Sequence, residues 1–281
     1  MIKKKILILI PAYNVEKKID KVIKKIKKEV YKKYNVRILI IEDNSKDNSL
    51  LSIRKIIKKG NNKRKIVLIS NKKNQGYGGV QKIAYKYAIK KKYKYVIMLH
   101  GDNQYPANKI LNLINPLLTD RYDAVFGSRM INSINALKGG MPFYKFIGNI
   151  ALTFFQNLIL SSNLSEFHSG YRSFRTSSLQ KINFNKNTND FHFDTEILIQ
   201  LVINKDSIKE ISIPTFYGDE ICHVNGTKYA FNVLRMTLTA KIQKISKLIL
   251  TEKFNIKKKT KNYLFSYKRV DNLLKLSMKR K

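Results

Sequence analysis

Tyr95-Val-Ile-Met-Leu-His-Gly-Asp-Asn-Gln-Tyr-Pro106 joins a short apolar run to a polar cluster, and its reading decides the fold. Val96 to Leu99 are consecutive apolar residues, two of them β-branched. Such a run is too short for a helix of its own and typical of a strand buried on both faces of a parallel sheet. His100-Gly101-Asp102 marks where the strand leaves the sheet. Ligands of open α/β sheets sit in the crevice outside the carboxyl ends of the strands. An imidazole, a carboxylate and the Gln104 amide at this point therefore face a pocket suited to a cation and a phosphate. Taken alone, the segment also reads as a polar turn with a proline opening the next helix.

The preceding sequence repeats the pattern. Ile6 to Ile10 is a strand ending in Pro11-Ala-Tyr-Asn14, and Ile19, Val22, Ile23 and Ile26 recur after it at helical spacing. Val36 to Ile41 is a second strand, Leu50 to Ile57 a helix, Lys65 to Ile69 a third strand and Val80 to Ile89 another helix. Further on, Ala124 to Phe126 is a strand ended by Gly127-Ser-Arg129, and Ile211 to Thr215 is the last. Strands alternating with helices predict βαβ units with right-handed crossovers, hence an α/β fold with a mostly parallel sheet and helices on both faces. Asp47 reads as the cap of the helix after the second strand. Gly76, Gly78 and Gly79 let the backbone approach a ligand at a helix start, whose amides favour anions, although the cluster satisfies neither the dinucleotide nor the P-loop pattern.

Phe146, Ile147, Ile150, Phe154, Leu158 and Ile159 form a broad apolar helical face ending near Ser161, suited to a membrane interface or to a core. Residues 228 to 250 read as a basic amphipathic helix, with Phe231, Leu234, Leu238, Ile242, Ile245 and Ile249 on one stripe and Lys241, Lys244 and Lys247 opposite. The Lys-rich tail from Lys253 is expected to be only partly ordered, which divides the chain into a catalytic domain over 1–227 and a helix and tail over 228–281. His168 and His192 read as hydrogen-bonded structural residues.

Composition limits the alternatives. Hydrophobic residues make up 43% of the 281, which excludes a disordered chain. The formal net charge of +37 predicts attraction to polyanions, among them nucleic acid, an anionic membrane and phosphorylated substrates. The lysines are spread over every segment and no nucleic-acid motif is present, so a nucleic-acid-binding protein ranks well below an enzyme. Cys222 is the only cysteine, which excludes an intrachain disulfide and points to a reducing compartment. No window reaches about 18 uninterrupted apolar residues, so membrane contact is expected to be peripheral, on the cytoplasmic face.

Four segments in fixed order, Ile6-Leu-Ile-Leu-Ile-Pro-Ala-Tyr-Asn14, Ile40-Ile-Glu-Asp-Asn-Ser-Lys-Asp47, Asn74-Gln-Gly-Tyr-Gly-Gly79 and His100-Gly-Asp-Asn-Gln-Tyr-Pro106, resemble the family 2 glycosyltransferases of GT-A fold. Within them the chain looks like the dolichol-phosphate mannosyltransferase group of polyprenyl-phosphate sugar transferases, over roughly residues 4 to 225. The resemblance implies that Asp43 contacts the base of a nucleotide-sugar donor, with Pro11, Tyr13, Asn14, Gly76, Gly78 and His100 beside it. Where relatives follow the matched Asn with Glu, this chain has Val15 and then Glu16, which is carried as a donor contact. The family's Asp-x-Asp and the Gln two residues on, ligands of Mn²⁺ or Mg²⁺, map onto His100, Asp102 and Gln104, so the first acid is an imidazole here. The resemblance also implies Arg129, with Lys145 and Arg172, at the acceptor phosphate, and Glu166 as the catalytic acid that precedes a Ser/Gly-aromatic-Arg element in relatives, one methylene longer than their aspartate. The family's last Glu of Asp190-Phe-His-Phe-Asp-Thr-Glu196 lies near the active site.

These assignments imply inverting transfer of a sugar from a nucleotide diphosphate to a polyprenyl phosphate. Transfer to a saccharide hydroxyl in surface polysaccharide assembly is the alternative. A phosphate monoester is already anionic near neutrality, its second pKa being about 6, whereas a hydroxyl needs Glu166 as a base. Imidazole in place of a carboxylate predicts activity with Mn²⁺ at least equal to that with Mg²⁺.

Overall fold

Seven strands, Lys5–Ala12 (β1), Asn35–Glu42 (β2), Ile66–Ser70 (β3), Tyr95–Met98 (β4), Ala124–Ser128 (β5), Arg172–Arg175 (β6) and Ile208–Ser212 (β7), form one sheet in the order β3-β2-β1-β4-β6-β5-β7. The structure, a computed structural model, describes residues 3–59, 65–214, 217 and 225–245. β1 pairs in parallel with β2 and β4, β2 with β3, and β5 with β7, while β6 runs antiparallel between β4 and β5. The helices are Ile19–Lys25 (α1), Lys28–Lys33 (α2), Ser49–Lys59 (α3), Tyr77–Lys90 (α4), Ile110–Leu118 (α5), Ser133–Lys138 (α6), Phe143–Leu160 (α7), Thr176–Lys181 (α8), Phe193–Ile203 (α9) and Gly226–Ile245 (α10).

Alternation along β1 divides the core. Leu7 and Leu9 join Val80, Ala84 and Tyr85 of α4 and Leu198 of α9 on one face, whereas Ile6, Ile8 and Ile10 meet Val22 of α1, Ile53 of α3 and Leu113 of α5 on the other. All five of these β1 aliphatics are buried, and burying a side chain of this kind is worth about 1.5–3 kcal/mol over leaving it exposed. The expected mostly parallel α/β sheet with helices on both faces is what forms.

Two strands differ from expectation. No apolar run marks β6, because Arg172-Ser-Phe-Arg175 carries two arginines. The fold buries their stems by giving the guanidinium groups main-chain carbonyls: Arg175 donates to Tyr122 O at 2.7 Å and to Leu117 O at 2.9 Å. β7 starts at Ile208, earlier than the expected Ile211, because it is an edge strand held only by β5 and its half-exposed residues carry little apolar signal.

α7 and α10 pack together with their amphipathicity inverted. α7 buries Asn149, Thr153, Gln156 and Leu160 and exposes Phe143, Tyr144, Ile147, Ile150, Phe154 and Leu158. α10 buries Val233, Thr237 and Ala240 and turns Phe231, Leu238 and Ile242 outward, so these three of the expected stripe face away from the domain while Leu234 is half-buried. The expected positions Lys244, Ile245, Lys247 and Ile249, the tail from Lys253 and most of the loop after Tyr217 lie outside the residues whose side chains are described.

Candidate active site

The carboxyl ends of β1, β2, β4 and β5 and the amino end of antiparallel β6 lie along one edge of the sheet. That edge gathers Pro11 to Asn14, Asp43, His100 to Gln104, Arg129 and the Glu166 to Gly170 segment, which are far apart in sequence. Gly101 sits against β1 so closely that a Cβ would lie 2.8 Å from Pro11 O, which fixes the path of the chain out of β4.

Asp102 is at the mouth of this edge, its side chain 33% exposed, and its Oδ1 accepts from the Gln104 amide at 3.0 Å in a turn whose middle residue Asn103 has φ 66°. Its Oδ2 faces His100 Nδ1 across 4.0 Å, too far for a direct hydrogen bond. On the other side of the ring, His100 Nε2 lies 3.2 Å from Tyr77 Oη, which in turn donates to Asp194 Oδ2 at 2.7 Å. Burial and the neighbouring Asp194 carboxylate push the Tyr77 phenol well above its ordinary value, so it stays a hydroxyl. Among the described residues no three His, Cys, Asp or Glu side chains cluster to hold a metal. A cation here would be held by Asp102, His100 and the side-chain oxygen of Gln104 together with oxygens of the donor.

The loops after β1 and β2 are tied to one another. Asn14, in the left-handed region at φ 53°, accepts from the Lys46 amide at 2.9 Å and donates its own amide to Ser45 Oγ at 3.1 Å. Asp47 accepts from the amide and hydroxyl of Ser49 and from the Glu16 amide, so it caps α3. Burial acts to raise its pKa, but these hydrogen bonds win and hold the carboxyl below its ordinary value. Glu16 returns the contact, accepting from the Asn48 amide at 3.2 Å. Tyr13, 39% exposed, is left at the mouth.

Asp43 is buried and accepts from Asn71 Nδ2 at 2.7 Å, the Gln75 amide at 2.8 Å and the Gly76 amide at 3.0 Å. The carboxylate thus holds the loop leading to α4. The close approach that excludes a Cβ at Gly76 and Gly78 is made by the protein itself: Asn189 O and Thr188 O would lie 2.6 Å and 2.5 Å from it, and the Gly78 amide donates to Asn189 O. These two glycines therefore seat the 188–193 segment on the start of α4, which differs from the ligand approach read in the sequence.

Across the edge, Glu166 is fully buried and paired with Arg129, which donates its amide to Oε2 at 2.7 Å and its Nε and Nη2 to Oε1. Asn149 of α7 adds a bond to Oε1 at 2.9 Å. Desolvation would raise the Glu166 carboxyl, but the Arg129 guanidinium outweighs it and keeps the group below its ordinary value. Arg129 Nη1 reaches Tyr217 Oη at 3.0 Å, and Lys145 Nζ lies over the Tyr217 ring at 5.4 Å. Arg129 and Lys145 thus come together, with Tyr217 between them.

Arg172 does not join them, and this corrects the sequence expectation. It is 1% exposed and spends its guanidinium on Ser169 O, Asp194 O and Phe167 O, over the Phe126 ring, so it ties the Glu166 segment to α9. Glu196 is likewise buried, and its Oε2 accepts from the Thr188 amide at 2.6 Å. His168 Nδ1 meets Tyr229 Oη at 3.0 Å, and burial lowers its pKa to about 4. Sequence reasoning missed Tyr77, Asn149, Asp194 and Tyr217. Each acts through a partner distant in the chain, and only the position of Tyr77 between two glycines offered a sign.

A mixed, mostly parallel sheet with a polar crevice at its carboxyl edge and an acid on the loop after the fourth strand defines the GT-A-like glycosyltransferase class. Residues 7–183 match Glycosyl transferase family 2, and the chain belongs to that family. It is 32% identical over 256 residues, 87% of this chain and 99% of the relative, to a UDP-N-acetylglucosamine–dolichyl-phosphate N-acetylglucosaminyltransferase of Methanococcus voltae. It is 30% identical over 217 residues, 77% of this chain and 84% of the relative, to an uncharacterised protein of Methanocaldococcus jannaschii. In fold it is similar to glucosyl-3-phosphoglycerate synthase from Mycobacterium tuberculosis, solved with Mn²⁺, uridine diphosphate and phosphoglyceric acid, at a TM-score of 0.61 and 12% identity over 85% of this chain and 78% of that one.

Proposed function

We propose that this glycosyltransferase is metal-dependent and inverting, and moves a sugar from a nucleotide diphosphate to a polyprenyl phosphate at a membrane surface. The observation that carries the reading is the facing pair of His100 Nδ1 and Asp102 Oδ2, 4.0 Å apart at the carboxyl end of β4, with Gln104 beside them. The mixed nitrogen and oxygen donors of this pair fit Mn²⁺ better than Mg²⁺. When bound, the cation supplies a Lewis acid for the charge that gathers on the departing diphosphate.

The acceptor side supports a phosphate over a hydroxyl. Glu166 is a weak base, because Arg129 holds its charge and its carboxyl is below the ordinary value. A polyprenyl phosphate needs no proton removed at neutral pH, its second pKa being about 6, and the Arg129 guanidinium, 15% exposed, and the Lys145 ammonium are the positive groups it would meet. The name of the Methanococcus voltae relative, a dolichyl-phosphate transferase, supports the same acceptor. The outward apolar faces of α7 and α10 support membrane contact: neither these helices nor α6 carries a single Asp or Glu, so an anionic bilayer is the occupant their chemistry fits.

The test is incubation with a panel of UDP- and GDP-sugars and either short-chain polyprenyl phosphate or an oligosaccharide, with products identified by mass. A sugar polyprenyl phosphate of inverted anomeric configuration, formed with Mn²⁺ at least as fast as with Mg²⁺ and lost with EDTA, is expected. A sugar product on the oligosaccharide alone would overturn the acceptor, and turnover with Mg²⁺ only would overturn the assignment of His100.

A further inference from the structure

His100 stands where the resemblance implies the first acid of an Asp-x-Asp, and the residues behind it show how an imidazole is made to serve. Tyr77 Oη has one proton, and the 2.7 Å contact with Asp194 Oδ2 takes it, since a hydroxyl donates more strongly to a carboxylate than to a neutral ring. Asp194 is itself held as an acceptor: Gln81 Nε2 donates to its other oxygen at 2.9 Å, and the Gln81 amide is oriented by Tyr85 Oη, which donates to Gln81 Oε1 at 2.6 Å. The Tyr77 oxygen is then free to accept only, so His100 Nε2, 3.2 Å away, is the nitrogen that carries the proton. The lone pair is left on Nδ1, the atom that faces Asp102.

The ring has no freedom to turn away. Tyr105 stands edge-on to it with centroids 4.8 Å apart, and Gly170 closes the third side, where a Cβ would come within 2.6 Å of Nε2 and 3.0 Å of Tyr77 Oη. We propose that Tyr77 and Asp194 are positioning residues that fix His100 as its Nε2–H tautomer and so present Nδ1, beside Asp102, as a nitrogen ligand for the divalent cation. The inference rests on the metal-dependent reading above and deepens it. A chain of carboxylate, phenol and imidazole does here what a carboxylate hydrogen-bonded to a ligating histidine does elsewhere. It makes the substitution at position 100 a built feature of a nitrogen-containing metal site.

Two measurements on the full chain test it. In the metal-free protein, long-range proton–nitrogen correlation spectra are expected to show His100 with its proton on Nε2, and Tyr77→Phe, which keeps the ring stacked on Phe191, to mix the two tautomers. With Mn²⁺ and UDP or GDP added, pulsed electron paramagnetic resonance is expected to show coupling to one directly bound nitrogen, absent in His100→Ala. Tyr77→Phe should weaken Mn²⁺ binding by about 10-fold or more. A proton on Nδ1 in the wild type, or a bound Mn²⁺ with no nitrogen coupling, overturns the inference while leaving a metal-dependent transferase intact. No Mn²⁺ binding with either nucleotide overturns both.

Discussion

Glu166 keeps a full negative charge where water does not reach, and Arg129 decides what that charge can do. Replacing Glu166 by Gln preserves the shape of the side chain but leaves the guanidinium facing a neutral amide in a site where the carboxylate is 0% exposed. Breaking a buried pair from one side costs about 3 kcal/mol. Glu166→Gln is therefore expected to lower the unfolding free energy by that amount, read from urea unfolding curves, while phosphate transfer, needing no base, falls by less than about a hundredfold. His168 adds a separate pH dependence. Its imidazole is buried among Glu166, Arg129 and Arg172, and its value falls from 6.5 to about 4 on folding. The unfolded chain therefore takes the proton first, and stability present at neutral pH is lost as the pH falls from 6.5 towards 4, by about 3 kcal/mol in all. Glu166 contributes in a lower window, because its depressed carboxyl loses its contribution only below the ordinary value of 4.5. Unfolding curves between pH 7 and pH 4.5 should slope for the wild type and flatten for His168→Gln. The sequence made Asp102 and Glu166 visible because both lie in short motifs. It hid Asp194, which reaches His100 only through Tyr77, 117 positions away, and it misplaced Arg172, whose motif position said nothing of the carbonyls that consume its donors.

At the scale of the element, the strands that build the nucleotide side were legible because continuous apolar runs such as Ile6 to Ile10 have no other use. β6 and β7 were not, since one buries arginines and the other is an edge. α7 and α10 were legible as helices, yet their inward sides were not. Periodicity shows that a face is apolar and leaves open whether the domain or something else covers it. Here the inner side is filled by hydrogen-bonded polar residues, with Thr153 Oγ1 bonded to Asn149 Oδ1 at 3.2 Å and Gln156 Nε2 to Thr237 Oγ1 at 3.4 Å. Asn149 also holds Glu166, so α7 carries the apolar face on one side and a partner of the buried carboxylate on the other. Phe154 and Phe231 are 69% and 65% exposed, and neither supports the core. Transfer of each ring into lipid is worth up to about 1.5–3 kcal/mol. Phe154→Ser with Phe231→Ser is expected to reduce sedimentation with phosphatidylglycerol vesicles at least about tenfold without altering the circular dichroism of the fold. Equal sedimentation of the double variant and the wild type would show that this face does not enter lipid.

Over the whole molecule, the distribution of acids matters as much as their number. Only 19 Asp and Glu stand against 56 Lys and Arg, and Glu42, Asp43, Glu166, Asp194 and Glu196 are spent in the interior. The exterior is thus more uniformly basic than the totals suggest, which gives long-range attraction to any anionic surface but no directional preference. On the proposed membrane reading, direction comes from α7 and α10, where large apolar groups accompany the positive charge. The two contributions separate on salt, because the Debye length shortens from about 10 Å at 0.1 M to about 3 Å at 1 M while apolar burial is not screened. Titrating salt into the protein bound to phosphatidylglycerol vesicles should therefore give a steep fall to a plateau for the wild type. Phe154→Ser with Phe231→Ser should start from the weaker binding that charge alone gives at low salt and fall to zero. If the wild type also falls to zero, charge alone holds the protein to the bilayer, and the inverted helices must be covered by something other than lipid.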